Sequence, residues 1–330
     1  MPFRLADGAG EDVSETEFKG HFVHVSYHAW MLQDEARTKA LKAMVADLVR
    51  PGDVVADVGT GTGILAAWAL QAGAARVYAV EASPIARLAR RFFDANGFGE
   101  RAVVLEGPAE EVELPETVDV VVSECLGNFA FSDAMFLTVG RFCDRWLKPG
   151  GRRGPHRVRL VLQPADARLF ADPTTFFREP YDGLDVSAFI HAAERRVDVC
   201  DGVPSFMRAE STVVADFDPL DRPERFVLDA SWDLTEGKSV TGVLGWFDVD
   251  WSPHATMSTS PFAESTHWSQ TLFHVPLHMP SAGDRLACRI EVTFDSGERP
   301  RYAWSGAFSS AGGEVLKRFN RDSKDLFTPE

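Results

Sequence analysis

The stretch that constrains this chain most is Val54 Val55 Ala56 Asp57 Val58 Gly59 Thr60 Gly61 Thr62 Gly63 Ile64 Leu65, an apolar run ending in alternating glycines and followed by an alanine-rich segment. Its spacing predicts a buried strand, a tight turn and a helix start. Glycines allow the turn's backbone N–H groups to approach a ligand, and the helix N-terminus beyond adds a favourable dipole. The next apolar run, Val77 to Val80, stops at Glu81. That is about twenty residues past Gly59, the spacing expected of an acid that holds ribose hydroxyls. A nucleoside-containing cofactor follows, with Asp57, Gly59, Gly61 and Glu81 as candidate contacts. The dinucleotide pattern G-x-G-x-x-G and the phosphate loop G-x-x-x-x-G-K-[ST] both fail here, because the chain has G-x-G-x-G with no nearby lysine.

At 330 residues there is room for two cores. No apolar run is long enough to span a bilayer. The first residues lack the apolar centre of a secretory signal, so a cytoplasmic protein without a membrane partner is expected. The four cysteines are scattered without metal-ligand spacing, so buried reduced thiols and no metal are expected. A net charge of -15 argues against a nucleic-acid surface and is compatible with a cationic partner or simply with solubility.

Residues 1–20 read as a loose polar leader. A helical-period stretch follows, with Leu41, Met44, Val45 and Leu48 on one face, and leads into the first strand. Ser83 Pro84 reads as an N-cap with a first-turn proline, opening a helix that runs to about Asn96 Gly97. Val103 to Leu105 and Val118 to Ser123 are further strands. Strands alternating with helices predict an α/β, doubly wound parallel sheet over 21–151, with ligands outside the strands' carboxyl ends. Gly59, Glu81, Glu110 and Glu124 all fall there. Past Lys148 Pro149 Gly150 Gly151 the period changes to two. Val158 to Leu162, Phe226 to Trp232, Val240 to Trp251, Trp268 to Val275, Leu286 to Phe294 and Tyr302 to Phe308 predict an antiparallel sandwich or barrel over 152–330. Residues 176–206 have weaker periodicity and read as a helical excursion.

Several separate segments together resemble the protein arginine methyltransferases. They are Met31 to Thr38, Val58 to Leu65, Val80 to Ile85, Ala109 to Pro115, Ser123 to Gly127, Trp146 to Gly151 and Ser265 to Thr271, spread over about residues 18–310. The resemblance implies a methyltransferase domain, a β-barrel with an inserted dimerisation arm near 176–206, a homodimer, and S-adenosylmethionine as cofactor. It also implies roles. Arg37 would pair with the cofactor carboxylate, with His28 beside it, and Met31 would flank the sulfonium. Glu81 would take the ribose hydroxyls and Glu110 would accept from the adenine amino group. His267 would meet Asp34 across the domain junction, closing the site and offering a proton route.

For the acceptor, the family presents two glutamates on either side of the substrate guanidinium. Here the first is Glu124, and the second position, nine residues on, holds Asp133. Asp133 keeps the charge with a carboxylate about 1.5 Å shorter in reach. Two carboxylates suit this chemistry. A guanidinium is planar, cationic and resists deprotonation, so flanking carboxylates fix its plane and draw positive charge onto its non-reacting nitrogens. The expected reaction is methyl transfer to an arginine of a protein or peptide. The shortened Asp133, together with Phe18 and Phe22 where the family often has tyrosines, leaves room for a small guanidino or amine substrate. A partner-binding protein without turnover is the third reading.

Overall fold

The computed structural model describes residues 24–132, 134–166, 176–222, 225–294 and 300–324. The polar leader, Phe18, Phe22 and Asp133 lie outside the described residues. Two helices open the described chain, α1 (Val25–Gln33) and α2 (Glu35–Leu48), where the sequence pattern suggested one. Asp34 divides them. Its extended backbone breaks α1, and its side chain accepts from Arg37 N to cap α2. The expected face of α2 is buried, with Leu41, Met44, Val45 and Leu48 all in the core.

A parallel sheet follows, made of β1 (Val54–Val58), β2 (Arg76–Glu81), β3 (Ala102–Glu106), β4 (Val118–Val122) and β5 (Leu147–Gly154). Three helices, α3 (Ile64–Gln71), α4 (Ala86–Ala95) and α5 (Met135–Trp146), connect its strands. The order β3-β2-β1-β4-β5 reverses between β1 and β4. This switch point opens a crevice at the strands' carboxyl ends. Gly59 follows β1 and Glu124 follows β4, so the crevice has one expected site residue on each wall.

The sheet runs three residues beyond Gly151, because β5 pairs in parallel with β4 as far as Gly154. The antiparallel region then comprises β6 (Arg157–Ala165), β7 (Val197–Cys200), β8 (Thr212–Phe217), β9 (Arg225–Asp233) and β10 (Val240–Ser252). It continues with β11 (Ala255–Ser258), β12 (Gln270–His278), β13 (Arg285–Thr293), β14 (Arg301–Ser309) and β15 (Val315–Asp322). They form a sheet of order β7-β12-β10-β6-β8, with β11 on β10, and a second of order β15-β14-β13-β9. Strict alternation is clearest on β13, where Leu286, Cys288, Ile290 and Val292 are buried between exposed neighbours. The strands that the sequence did not suggest, such as β8 and β15, bury few side chains and so carry little hydrophobic period.

Besides the helical Phe176 and a Tyr181–Leu184 bridge, the excursion at 176–206 contains a short helix, α6 (Ile190–Glu194), two single 3-10 turns and β7. It leaves Phe176, Tyr181, Leu184 and Phe189 more than half exposed. Its root is tied to the barrel by ion pairs, Glu194 between Arg178 and Arg321, and Asp198 against the buried His274.

Candidate active site

The glycine turn contributes shape more than donors. Gly59, Gly61 and Gly63 all have positive φ (73°, 52° and 86°). The N–H groups of Gly59 and Thr60 donate to Val80 O, Gly63 N donates to Thr60 O, and Gly61 N donates to Glu81 Oε2 at 2.9 Å. In this structure these donors are taken by Val80, Thr60 and Glu81. What the glycines supply is space. A Cβ on Gly59 would meet Met135 Cε at 2.1 Å, and one on Gly61 would meet His28 Cε1 at 3.0 Å.

Asp57 sits beneath the turn rather than in it. It is 1% exposed, and its Oδ2 accepts from Thr60 Oγ1 (2.6 Å) and Ala66 N (3.0 Å), so it ties the turn to the first residues of α3. Burial pushes its carboxyl up to about 7, against those two hydrogen bonds, and the nearby Glu81 charge adds to the rise. At the end of β2, Glu81 is oriented by Gly61 N and by Ser83 N, which donates to Oε1 at 2.8 Å. A carboxylate has about four acceptor positions, so it keeps capacity for further donors. Beside it the buried Ser83 Oγ has no hydrogen-bond partner among the described residues. An orphaned hydroxyl lining a cleft next to a fixed carboxylate suits a polar ligand such as a ribose. Glu110 lies outside β3 and accepts from Thr138 Oγ1 of α5.

Asp57, Gly59, Gly61, Glu81, Ser83 and Glu110 line one cleft of about 1490 Å³, which His28, Met31, Arg37, Glu124 and His267 also line. Arg37 and Glu124, expected to serve two different ligands, pair with each other. Arg37 Nη2 and Nε donate to Glu124 Oε2 at 2.7 and 3.2 Å, and Nη1 donates to Met31 O at 3.2 Å. Their side chains are only 8% and 14% exposed, so the charges meet where screening is weak. A guanidinium has five N–H donors, and this geometry uses three, leaving two for an anionic group. Glu124 Oε1 takes only Leu126 N at 3.3 Å.

One side of the cleft is assembled between the parallel-sheet region and the antiparallel region. Asp34 Oδ2 accepts from His267 N at 2.8 Å and lies 2.8 Å from His267 Nδ1. Although burial works to raise the Asp34 carboxyl, the hydrogen bonds from His267 and from Arg37 N hold it below the usual carboxylate range. An ionised carboxylate cannot donate, so the ring proton resides on Nδ1. Trp30 packs edge-on against the His267 ring at 5.4 Å. Trp268 Nε1 donates to Leu126 O at 2.7 Å, and Asn128 Nδ2 donates back to Trp268 O, stapling the loop after β4 to the barrel.

That loop is strained. Phe129, Ala130 and Ala134 have φ of 50°, 65° and 49°, values that residues with side chains rarely adopt. Phe129 packs on Phe273 at 5.6 Å, while Phe131 inserts among Phe217, Phe226 and Phe294 of the barrel. Burying two phenyl rings offsets the backbone cost. Asp133, between Phe131 and Ala134, lies outside the described residues. Ser83, expected to cap the helix after β2, does not: α4 begins at Ala86 behind Ile85 with no side-chain cap, and the Ser83 hydroxyl faces the cleft instead. Sequence reasoning assigned no role to Asn128, Trp268 or Met135. Trp268 lies inside a segment that carried the resemblance, but its partner Leu126 is 142 residues away.

Among the described residues no group of acidic, histidine or cysteine side chains is arranged to hold a metal ion, and no helix is long and apolar enough to cross a membrane. All four cysteines are free, and burial raises their thiols, Cys143, Cys200 and Cys288 to about 12.

Comparison with known proteins agrees with this geometry. Residues 55–151 match the family described as a methyltransferase domain, and residues 160–303 match the arginine methyltransferase oligomerization subdomain. Protein arginine N-methyltransferase 6 of Xenopus laevis is 34% identical over 291 residues, covering 79% of this chain and 81% of the relative. Protein arginine N-methyltransferase 1 of Chlamydomonas reinhardtii is 32% identical over 293 residues, covering 86% and 85%. Among solved structures, Arabidopsis thaliana protein arginine methyltransferase 10 superposes with a TM-score of 0.77 at 29% identity, covering 91% of this chain and 98% of its own. The Trypanosoma brucei PRMT1 enzyme–prozyme heterotetrameric complex with AdoHcy gives 0.84 at 25% identity, covering 92% and 99%. A doubly wound sheet with a glycine turn, an acid closing its second strand and an antiparallel second region, together with the methyltransferase-domain match, defines an S-adenosylmethionine-dependent methyltransferase. Within that class, the chain belongs to the protein arginine methyltransferase family.

Proposed function

We propose that this protein transfers a methyl group from S-adenosylmethionine to a guanidinium nitrogen of an arginine in a protein or peptide. The observation that carries the reading is Glu124, a carboxylate held in the cleft by the Arg37 guanidinium at 2.7 Å with acceptor capacity to spare. The residues fit the cofactor: the Gly59 and Gly61 surface leaves room for a nucleoside, Glu81 and Ser83 suit its ribose, and Glu110 lies on the adenine side. His28 and Met31 border the same space, and the two remaining Arg37 donors suit its carboxylate. When bound, the sulfonium supplies an already activated methyl group, so the protein's task is alignment.

Glu124 orients the acceptor guanidinium and draws its positive charge away from the attacking nitrogen. By family position Asp133 is the second carboxylate of that clamp. Asp34 holds the His267 proton on Nδ1, which leaves Nε2 as the ring's acceptor for a proton released at the acceptor. Asp57 acts on the donor side by fixing the turn. We further infer a division between the domains at Gly154–Pro155 and a homodimer formed through the arm at 176–206, whose exposed Phe176, Tyr181, Leu184 and Phe189 are the apolar surface such a contact uses. Action in the cytoplasm completes the reading.

Labelled S-adenosylmethionine offered first to Gly-Arg-rich and histone-like peptides, then to free guanidines and amines, tests it. Label in methylarginine of a peptide supports the proposal. Label only in small molecules favours the metabolite reading, and failure to bind the cofactor by calorimetry favours a protein without turnover.

A further inference from the structure

The inner cleft accounts for the donor and the acceptor guanidinium, but its rim carries a charge that neither uses. The cleft-lining face of α5 contains Leu137, Thr138 and Arg141, at the spacing that puts residues on one helix face. Arg141 stands about two turns, or 10 Å, along the axis from Ala134, where the strained acceptor loop ends. Its side chain is exposed, and among the described residues it has neither an ion pair nor a hydrogen bond.

The other charges of this rim are matched. Arg222 pairs with Asp144 at 2.5 Å, and Asp221 lies 3.5 Å from Arg153, which Asp218 also chelates. Arg145 pairs with Glu113, and Glu110 accepts from Thr138. Arg141 is therefore the surplus charge. The wall facing it is fixed in place by Gly140. A Cβ there would meet Leu220 O at 2.5 Å and Arg222 Cγ at 2.6 Å, so only glycine lets the Pro219–Asp221 turn seat on α5.

A lone cation at the mouth of a site for a cationic acceptor runs against the attraction expected of a chain with net charge -15. It repels acceptors whose flanks are basic and attracts those that carry an anion, which is discrimination by an opposing charge. We propose that Arg141 forms a carboxylate subsite at the rim of the acceptor cleft, selecting acceptors that carry a carboxylate beside the guanidinium they present. The inference rests on Glu124 as the acceptor seat. The carboxylate has two possible sources, an acidic residue flanking the target arginine of a peptide, or the acid group of a small guanidino acid.

The full-length protein and its Arg141→Gln and Arg141→Glu variants are compared on glycine-rich peptides bearing one arginine flanked by Asp, Asn or Lys. Free arginine and its decarboxylated analogue form the second arm. Because Arg141 is exposed, the wild-type preference for Asp over Asn in kcat/KM is about fivefold, the upper range for a surface pair, and it shrinks as salt is added. Arg141→Gln brings the ratio to about one, and Arg141→Glu turns it toward Lys. A matching preference between the two small guanidines identifies the small acid as the source; its confinement to peptides identifies the acidic flank. An Asp-to-Asn ratio that is the same in wild type and Arg141→Gln overturns the subsite. Affinities measured with S-adenosylhomocysteine bound give the same ratio independently of turnover. If those affinities discriminate but no guanidine is methylated, the acceptor reading of Glu124 fails and the subsite stands.

Discussion

The donor wall and the acceptor wall of the cleft are built from different material. On the donor side, Gly59, Asp57 and Glu81 lie within a short segment, and the turn is held by backbone bonds and by one buried carboxylate. On the acceptor side, the contacts Arg37 to Glu124, Asn128 to Trp268 and His267 to Asp34 join residues 87, 140 and 233 positions apart. The donor seat is thus preset by local chain geometry. Two of these contacts, Asn128 to Trp268 and His267 to Asp34, reach the barrel, and Phe131 packs from the strained loop against the barrel's Phe226.

This difference can be broken from either side. Gly59→Ala has the largest expected effect on the cofactor. The new methyl pushes the Met135 thioether into the donor space and forces alanine into a left-handed backbone, so cofactor affinity falls by about 100-fold, two factors of ten at 1.4 kcal/mol each. Calorimetric titration with S-adenosylhomocysteine measures it. Phe131→Leu acts on the other wall. It loosens the aromatic contact with Phe226 at 4.7 Å, and turnover drops about tenfold while cofactor affinity stays within twofold. Equal losses in both would mean that the walls are not independent. His267→Asn keeps a donor toward Asp34 but removes the ring that packs against Trp30. Turnover falls several-fold, on the low side of the usual range for a positioned acid–base group, while cofactor affinity stays within twofold.

Asp57→Asn has the smallest effect and concerns pH. The raised carboxyl keeps its proton in the folded chain up to about pH 7, whereas the unfolded chain loses it near 3.8. Its contribution is fully present below 3.8 and is lost as pH rises through 7. Thermal unfolding of the wild type should therefore show this loss between the two values. Asp57→Asn, whose amide oxygen can still accept from Ala66 N, should show less of it. Asp34 has the opposite sign. Its lowered carboxyl stabilises the chain above the ordinary carboxylate range, and that contribution is lost as pH falls through its folded value.

The same contrast explains what could be read from the chain alone. The strand, turn and acid of the donor wall follow a local pattern, and the buried face of α2 and the alternation of β13 follow simple periods. The helix break at Asp34 leaves no periodic trace, because its cap also binds a distant histidine, and the pairing with His267 came only from the resemblance. Arg37 and Glu124 were each assigned a ligand, yet nothing in their spacing indicated that they pair. The close packing of Met135 and His28 on Gly59 and Gly61 could not be read from the glycine spacing, because both side chains arrive from elsewhere in the chain. Asn128, Trp268 and Met135 were missed for the same reason.

The most direct test of the two-wall account is Glu124→Gln, with turnover and cofactor affinity measured on the same preparation. Glutamine keeps an oxygen for the Arg37 guanidinium but removes the charge that holds the acceptor. The account predicts that methyl transfer falls by about 100- to 1000-fold, the cost of removing a group aimed at developing charge, while S-adenosylhomocysteine affinity changes by less than about fivefold. Unchanged turnover, or a loss of cofactor affinity as large as the loss of turnover, would contradict it.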